Sequence, residues 1–304
     1  MQIYTKDKFT DANIINEQLT FMDKWILNKL SRTIKDFQNN FDNYNFGEAT
    51  KNIYQLWYDN ICDVYIEALK CLLSEKNSPV DENVKNNIKN VFLYVLENAL
   101  IIMHPLMPFI TEELFQRLPF KKSKVESICI SEFPKNISYI DDEVEKLGEQ
   151  IDLITHGMKS VLSQFQINKT KPKSAIYTND DKLKDIINKE KEVIATLGNV
   201  GEIIIINDKN DEKIKGWLSN VISSNLDVYL DIKDKIDIDK EIERLKKSLD
   251  ERKKYAEGIN NKMKKKDFIK APENIRKETQ EKLDNCNIEI KKIEENIENL
   301  GKLK

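Results

Sequence analysis

The sequence predicts a mainly α protein in three parts: a helical bundle, a small α/β connector and an antiparallel coiled-coil hairpin. Three observations carry that expectation. Apolar residues recur at three- and four-residue steps almost throughout from about Thr20 to Leu118, the period of amphipathic helices. Between residues 174 and 230 the pattern changes to short β-branched and aromatic runs, which suit strands. From Ile238 onward apolar residues alternate in steps of four and three, stop near Pro272 and resume, as two heptad seams do. The expected divisions are residues 1–135 for the bundle, 136–235 for a helix plus the connector, and 236–304 for the arm.

Each element has its own signal. Met22, Ile26, Leu30, Ile34 and Phe37 form the stripe of a first helix. Ile53, Leu56, Trp57, Asn60, Ile61, Val64, Ala68 and Leu72 lie on or near one face of a second, from about Gly47 to Leu73. A loop follows at residues 75–79, and Asp81 suits the cap of a helix carrying the apolar run from Val91 to Ile102. Pro105 must end that helix, because its ring blocks the preceding turn and it lacks a donor. Another helix is expected to begin near Pro108, with Thr111, Glu112 and Glu113 in its early turns against the positive end of the helix dipole. Val144, Leu147, Ile151, Ile154, Met158, Val161, Leu162 and Phe165 predict a helix from about Asp141 to Phe165. Strands are expected at residues 174–178, 202–206, 217–222 and 226–230, with a helix over 181–197 ending in a turn at Gly198-Asn199-Val200-Gly201. One seam then runs through Ile238, Ile242, Leu245, Leu249, Arg252, Ala256, Ile259 and Met263. The other runs through Leu283, Cys286, Ile290, Ile293, Ile297 and Leu300.

Composition narrows the function. With 304 residues, 33% charged and 40% hydrophobic, the chain has material for two or three cores. It has no apolar run of the ~18 residues that span a bilayer and no leader pattern, so no membrane partner and a cytoplasmic location are expected. Cys62, Cys71, Cys129 and Cys286 are scattered without C-x-x-C spacing, which predicts reduced thiols and no metal site. His104 and His156 are the only histidines, and the former is expected to be partly buried and bonded to a backbone group. Adjacent Glu112 and Glu113 point about 100° apart on a helix, which does not suit a carboxylate pair. No glycine-rich phosphate loop occurs either, so no catalytic residue is expected.

The end of the first heptad segment is strongly basic. Arg252, Lys253, Lys254, Lys262, Lys264, Lys265, Lys266 and Lys270 oppose only Glu257 and Asp267, a local charge of +6 in a chain whose net charge is −3. Such a patch attracts phosphates with salt-dependent affinity. A solvated coiled-coil end in a lysine-rich chain would look the same.

Several segments carry a family resemblance. They are Met22-Asp23-Lys24-Trp25-Ile26-Leu27-Asn28-Lys29-Leu30, Phe41-Asp42-Asn43-Tyr44-Asn45-Phe46-Gly47-Glu48-Ala49, Cys62-Asp63-Val64-Tyr65-Ile66-Glu67 and the corner Met103-His104-Pro105-Leu106-Met107-Pro108-Phe109-Ile110-Thr111-Glu112-Glu113-Leu114. Together they resemble the anticodon-binding bundle of class I aminoacyl-tRNA synthetases of the valyl, isoleucyl and leucyl group, with Val64 where tryptophan is usual. Residues 236–245 and the turn Asp267-Phe268-Ile269-Lys270-Ala271-Pro272-Glu273-Asn274-Ile275 resemble the C-terminal arm of the valyl-tRNA synthetases, which the isoleucyl and leucyl relatives lack.

The resemblance implies a non-catalytic C-terminal region of such an enzyme. The H-I-G-H-type and K-M-S-K-S-type segments are absent, so ATP and magnesium would belong to the catalytic part and no cofactor to this chain. It implies a monomer whose partner is a valine-accepting tRNA, not DNA. Lys24, Asn28, Arg32 and Lys35 on one side of the first helix, with the turn Asn43-Tyr44-Asn45, become the candidates for reading the anticodon loop. The eight basic residues of the arm become candidates for the tRNA elbow. Tyr54, Trp57, Tyr58 and Tyr65 are expected in the core. The competing readings are a coiled-coil interaction or dimerisation module, and the same region of an isoleucyl or leucyl enzyme.

Overall fold

The computed structural model describes residues 19–75, 78–119, 125–134, 139–209, 211–223, 225–233 and 238–264, with scattered helical positions between 276 and 301. The chain forms two compact units: residues 1–156 with 180–199, and residues 157–179 with 200–304.

The first unit is the helical bundle. Helix α1 (Phe21–Asp42) starts with a capping box, in which Thr20 and Asp23 exchange side-chain and backbone hydrogen bonds. Asp23 is fully buried, and the Tyr65 hydroxyl donates to its second oxygen at 2.6 Å. Burial raises the Asp23 carboxyl above its usual value, opposed by the hydrogen bonds from Tyr65 and Thr20. The capping residue therefore also ties α1 to the next helical stretch.

That stretch departs from the regular helix expected over residues 47–73. It is wound as α2 (Phe46–Tyr54), a π-helix (Gln55–Tyr65) and α3 (Ile66–Leu72). The wider i to i+5 winding turns Tyr65 into the core and leaves Val64 and Trp57 half-buried. Helix α4 (Glu82–Met103), capped by Asp81 as expected, stops before Pro105, and α5 (Pro108–Gln116) restarts with proline in its first turn. Leu100, Ile101, Phe115 and Ile128 form the core of this corner. Glu112 and Glu113 are not in the first turn, so the expected dipole pairing is replaced by local bonds. Glu113 pairs with Arg117, and Glu112 accepts from Ser127 Oγ and Ile128 N, both at 2.9 Å.

Helix α6 (Asp142–Gln164) runs from the first unit into the second, the division falling after His156. Gly148 permits its approach to α1, since a Cβ there would lie 2.3 Å from Trp25 Cδ1. The expected helix over 181–197 is two helices, α7 (Asp181–Lys189) and α8 (Lys191–Gly198), broken at Glu190. Glu190 accepts from the Phe21 amide at 3.3 Å, and α8 packs on α3. These helices belong to the bundle, so the bundle is discontinuous in sequence and does not end at residue 135.

The second unit contains a four-stranded sheet in the order β2-β1-β4-β3, with β1 (Ser174–Thr178), β2 (Ile203–Ile206), β3 (Leu218–Ser223) and β4 (Leu226–Leu230). β1 is parallel to β2 and antiparallel to β4, which is antiparallel to β3. Ala175, Ile206, Ile214 and Tyr229 form a core on one face. The last turns of α6 lie against β3, where Asn220 Nδ2 donates to Gly157 O at 3.0 Å.

Helix α9 (Ile238–Met263) provides the first heptad seam. Ala256 and Ile259 share one buried cluster with Leu283 and Cys286, flanked by Met263 and Ile290. Lys253 pairs with Glu294 at 2.7 Å. The two seams thus meet within one chain. Arg252, counted in the seam, is exposed instead, because its guanidinium can stay in water while the helix buries its neighbours. Pro272 lies outside the described residues.

Candidate nucleic-acid interface

The polar side of α1 does not form the single solvated face expected from its spacing. Asn28 is fully buried. Its Oδ1 accepts from the Asp141 amide at 2.9 Å and its Nδ2 donates to Glu145 at 2.5 Å. Asp141 caps α6 by accepting from Glu143 N and Val144 N, so Asn28 clamps the start of α6 to α1 and cannot present itself to a base. Arg32 follows it, pairing with Asp142 at 2.5 Å and with Glu145 at 3.5 Å, and Lys29 pairs with Glu145. Half of the expected face is therefore an internal electrostatic seam. Lys24 and Lys35 remain exposed.

The turn after α1 carries a built surface. Tyr44 has a left-handed backbone, φ 60°, the conformation that commonly ends a helix, here closed by the Asn45 amide donating to Asn40 O at 2.8 Å. Its ring is 79% exposed. Behind it a run of aromatic rings leads into the core. Tyr44 meets Phe46 edge-on at 6.1 Å, Phe46 meets Phe41 at 5.2 Å, Phe41 meets Phe37 at 5.4 Å, and Phe37 is buried. Phe133 stacks on Phe37 at 5.9 Å. Asn43 and Asn45 flank this exposed end. Its rings are held at fixed angles by a chain of neighbours, which lowers the entropy lost on stacking against a planar partner.

A second pair was not anticipated. Tyr54 and Tyr58, assigned to the core with Trp57 and Tyr65, are 55% and 52% exposed, their ring centroids 4.6 Å apart and the rings tilted by 30°. Tyr65 is buried and Trp57 half-buried. The i, i+4 spacing of the two exposed tyrosines was the available signal.

On the arm, Arg252, Lys253, Lys254, Lys262 and Lys264 are all exposed. Lys253 is engaged by Glu294. Lys265, Lys266 and Lys270 lie outside the described residues. Exposed Tyr255 interrupts the basic run. Cations with an interspersed ring on a helix surface suit a phosphate backbone with accessible bases.

Among the described residues no three or more His, Cys, Asp or Glu side chains gather as a metal site, and no helix is long and apolar enough to cross a membrane.

The family described as the anticodon-binding domain of tRNA ligase matches residues 23–177, and the valyl tRNA synthetase tRNA binding arm matches residues 237–301. The chain is 32% identical to a valine-tRNA ligase of Thermotoga maritima over 93% of its own length and 31% of that protein. It is 34% identical to the mitochondrial valine-tRNA ligase of Saccharomyces cerevisiae over 95% of its length and 26% of that protein. A valine-tRNA ligase of Staphylococcus carnosus is 30% identical over 99% of the chain and 33% of that protein. The chain spans about a third or less of the length of these relatives.

Proposed function

The chain belongs to the tRNA-ligase family defined by that anticodon-binding domain and carries the arm of the valyl-tRNA synthetases, and from this premise we propose that it grips a valine-accepting tRNA at two places. The bundle reads bases of the anticodon loop. The arm holds the outer elbow through phosphates. Amino-acid activation, with ATP and magnesium, belongs to the remainder of a valine-tRNA ligase.

The observation that carries this reading is the run of rings from Phe37 to exposed Tyr44. Bases of a single-stranded loop are splayed out and can stack on such a platform, while Asn43, Asn45, Lys24 and Lys35 supply donors and charge at its edge. Contacts to bases would supply identity, and the arm's cations would supply affinity and position. The internal meeting of the two seams supports a monomer over a dimerisation module, since Ala256 and Ile259 are already covered by Leu283 and Cys286.

The test is a titration of the chain with a valine tRNA transcript, the same transcript with an altered anticodon, and an unrelated tRNA. Tightest binding to the first, weakened by the anticodon change, is expected. Tyr44→Ala should weaken binding to matched and altered anticodons by about 1–3 kcal/mol, the typical worth of one stacked base. Equal affinity of the wild-type chain for all three RNAs would overturn the assignment of the bundle as reader.

A further inference from the structure

We propose that Cys129 and His104 form a thiol-imidazole pair on the surface of the bundle, a site for reversible modification of Cys129 by small disulfides.

The geometry defines the proton positions. The Thr111 hydroxyl, fully buried, donates to Met107 O at 2.8 Å. Its oxygen therefore accepts from His104 Nδ1, 2.7 Å away, which places the proton of the neutral ring on Nδ1. His104 Nε2 is left with its lone pair facing Cys129 Sγ at 3.2 Å. The arrangement is nucleophile, base and orienter in sequence. The histidine was expected to bond a backbone group; both its partners are side chains.

The sulfur is held there by a second set of bonds. Glu112, in the helix turn beside Thr111, accepts from Ser127 Oγ and Ile128 N, and the Cys129 amide donates to Ser127 Oγ at 3.2 Å. The other thiols lack these features. Cys62 and Cys71 are half-buried, and burial pushes both thiols above their ordinary value. Cys286 is buried in the arm and donates to Arg252 O. Cys129 alone among the four is exposed.

The step balances within this pair. Cys129 gives its proton to His104 Nε2, and the sulfur attacks one sulfur of a small disulfide. A bond forms between Cys129 and that sulfur, the original sulfur-sulfur bond breaks, and the departing thiolate takes the proton from Nε2 as a free thiol. Cys129 is oxidised and the leaving half is reduced. Attack by excess free thiol reverses it.

The test treats the intact chain with oxidised glutathione at pH 7 and maps adducts by mass spectrometry over time. An unassisted thiol is only a few per cent thiolate at that pH, so base assistance should make Cys129 react about tenfold faster in the folded chain than in the same chain unfolded in urea. H104N should bring the folded rate down to the unfolded one. Reaction of folded Cys129 no faster than in urea, or an unchanged rate in a folded H104N chain, would overturn the proposal. The urea comparison needs no variant and so decides the matter even where H104N fails to fold.

Discussion

Asn28 and Lys24 occupy the same side of α1 in sequence, four residues apart, yet one is fully buried and the other exposed. The difference lies in what arrives from elsewhere: the start of α6 brings the Asp141 amide and the Glu145 carboxylate onto Asn28. Asn28→Ala should therefore behave as a core mutation. It strands a backbone donor and removes a donor from a carboxylate, at a cost of about 1–3 kcal/mol. Lys24→Ala should change stability by no more than about 0.5 kcal/mol. Urea unfolding followed by circular dichroism checks both. A midpoint for Asn28→Ala as close to wild type as that of Lys24→Ala would refute the clamp. Some residue roles were legible locally: Thr20 and Asp23 make the capping box that their spacing allows, and Asp81 caps α4. The partner of His104 was not legible, because Cys129 is 25 positions away and no period in the chain links them.

At the scale of elements, the helical spans were largely readable because the bundle's apolar stripes repeat at the helical period, and the strand spans because β-branched runs end at Asn, Asp or Gly. What escaped was winding and fit. The π-helix at Gln55–Tyr65 leaves the same residues in a helix but changes their angular spacing, so that Tyr58 faces solvent while Tyr65, seven residues on, is buried. Two helical glycines with the same propensity should respond oppositely to alanine. Gly148→Ala places a Cβ 2.3 Å from the buried Trp25 ring, and the overpacking cost of about 1–3 kcal/mol exceeds the gain of up to about 1 kcal/mol from the better helix former. Gly258→Ala meets open space on α9 and should stabilise the arm by about 0.5–1 kcal/mol. Thermal melts of the two variants should move in opposite directions. A Gly148→Ala chain that melts at or above wild type would show that α6 does not pack against Trp25 as described.

At the scale of the whole molecule, the proposed function rests on two surfaces with different physics. If the arm works through phosphates, changing Lys254, Lys262 and Lys264 to glutamate should lower tRNA affinity for matched and altered anticodons alike. The slope of log affinity against log salt should shrink by about 0.7–0.9 for each phosphate that the arm no longer neutralises. Anticodon changes should do the reverse, shifting affinity without changing that slope. A triple variant with an unchanged salt slope would remove the arm from the electrostatic grip.

The helical bundle, the strands and the paired seams follow from the amino-acid order alone, because each is written in a periodicity that a helix or strand must bury locally. The motifs at the bundle and the arm, through which the family is recognised, are equally local. Folding in three dimensions settles the rest: α7 and α8 join the bundle, Asn28 and Arg32 face α6, Tyr54 and Tyr58 face solvent, and His104 faces Cys129. Those outcomes depend on contacts between residues far apart in the chain, where a polar or aromatic side chain at a given spacing is compatible with either side until a second element covers one of them.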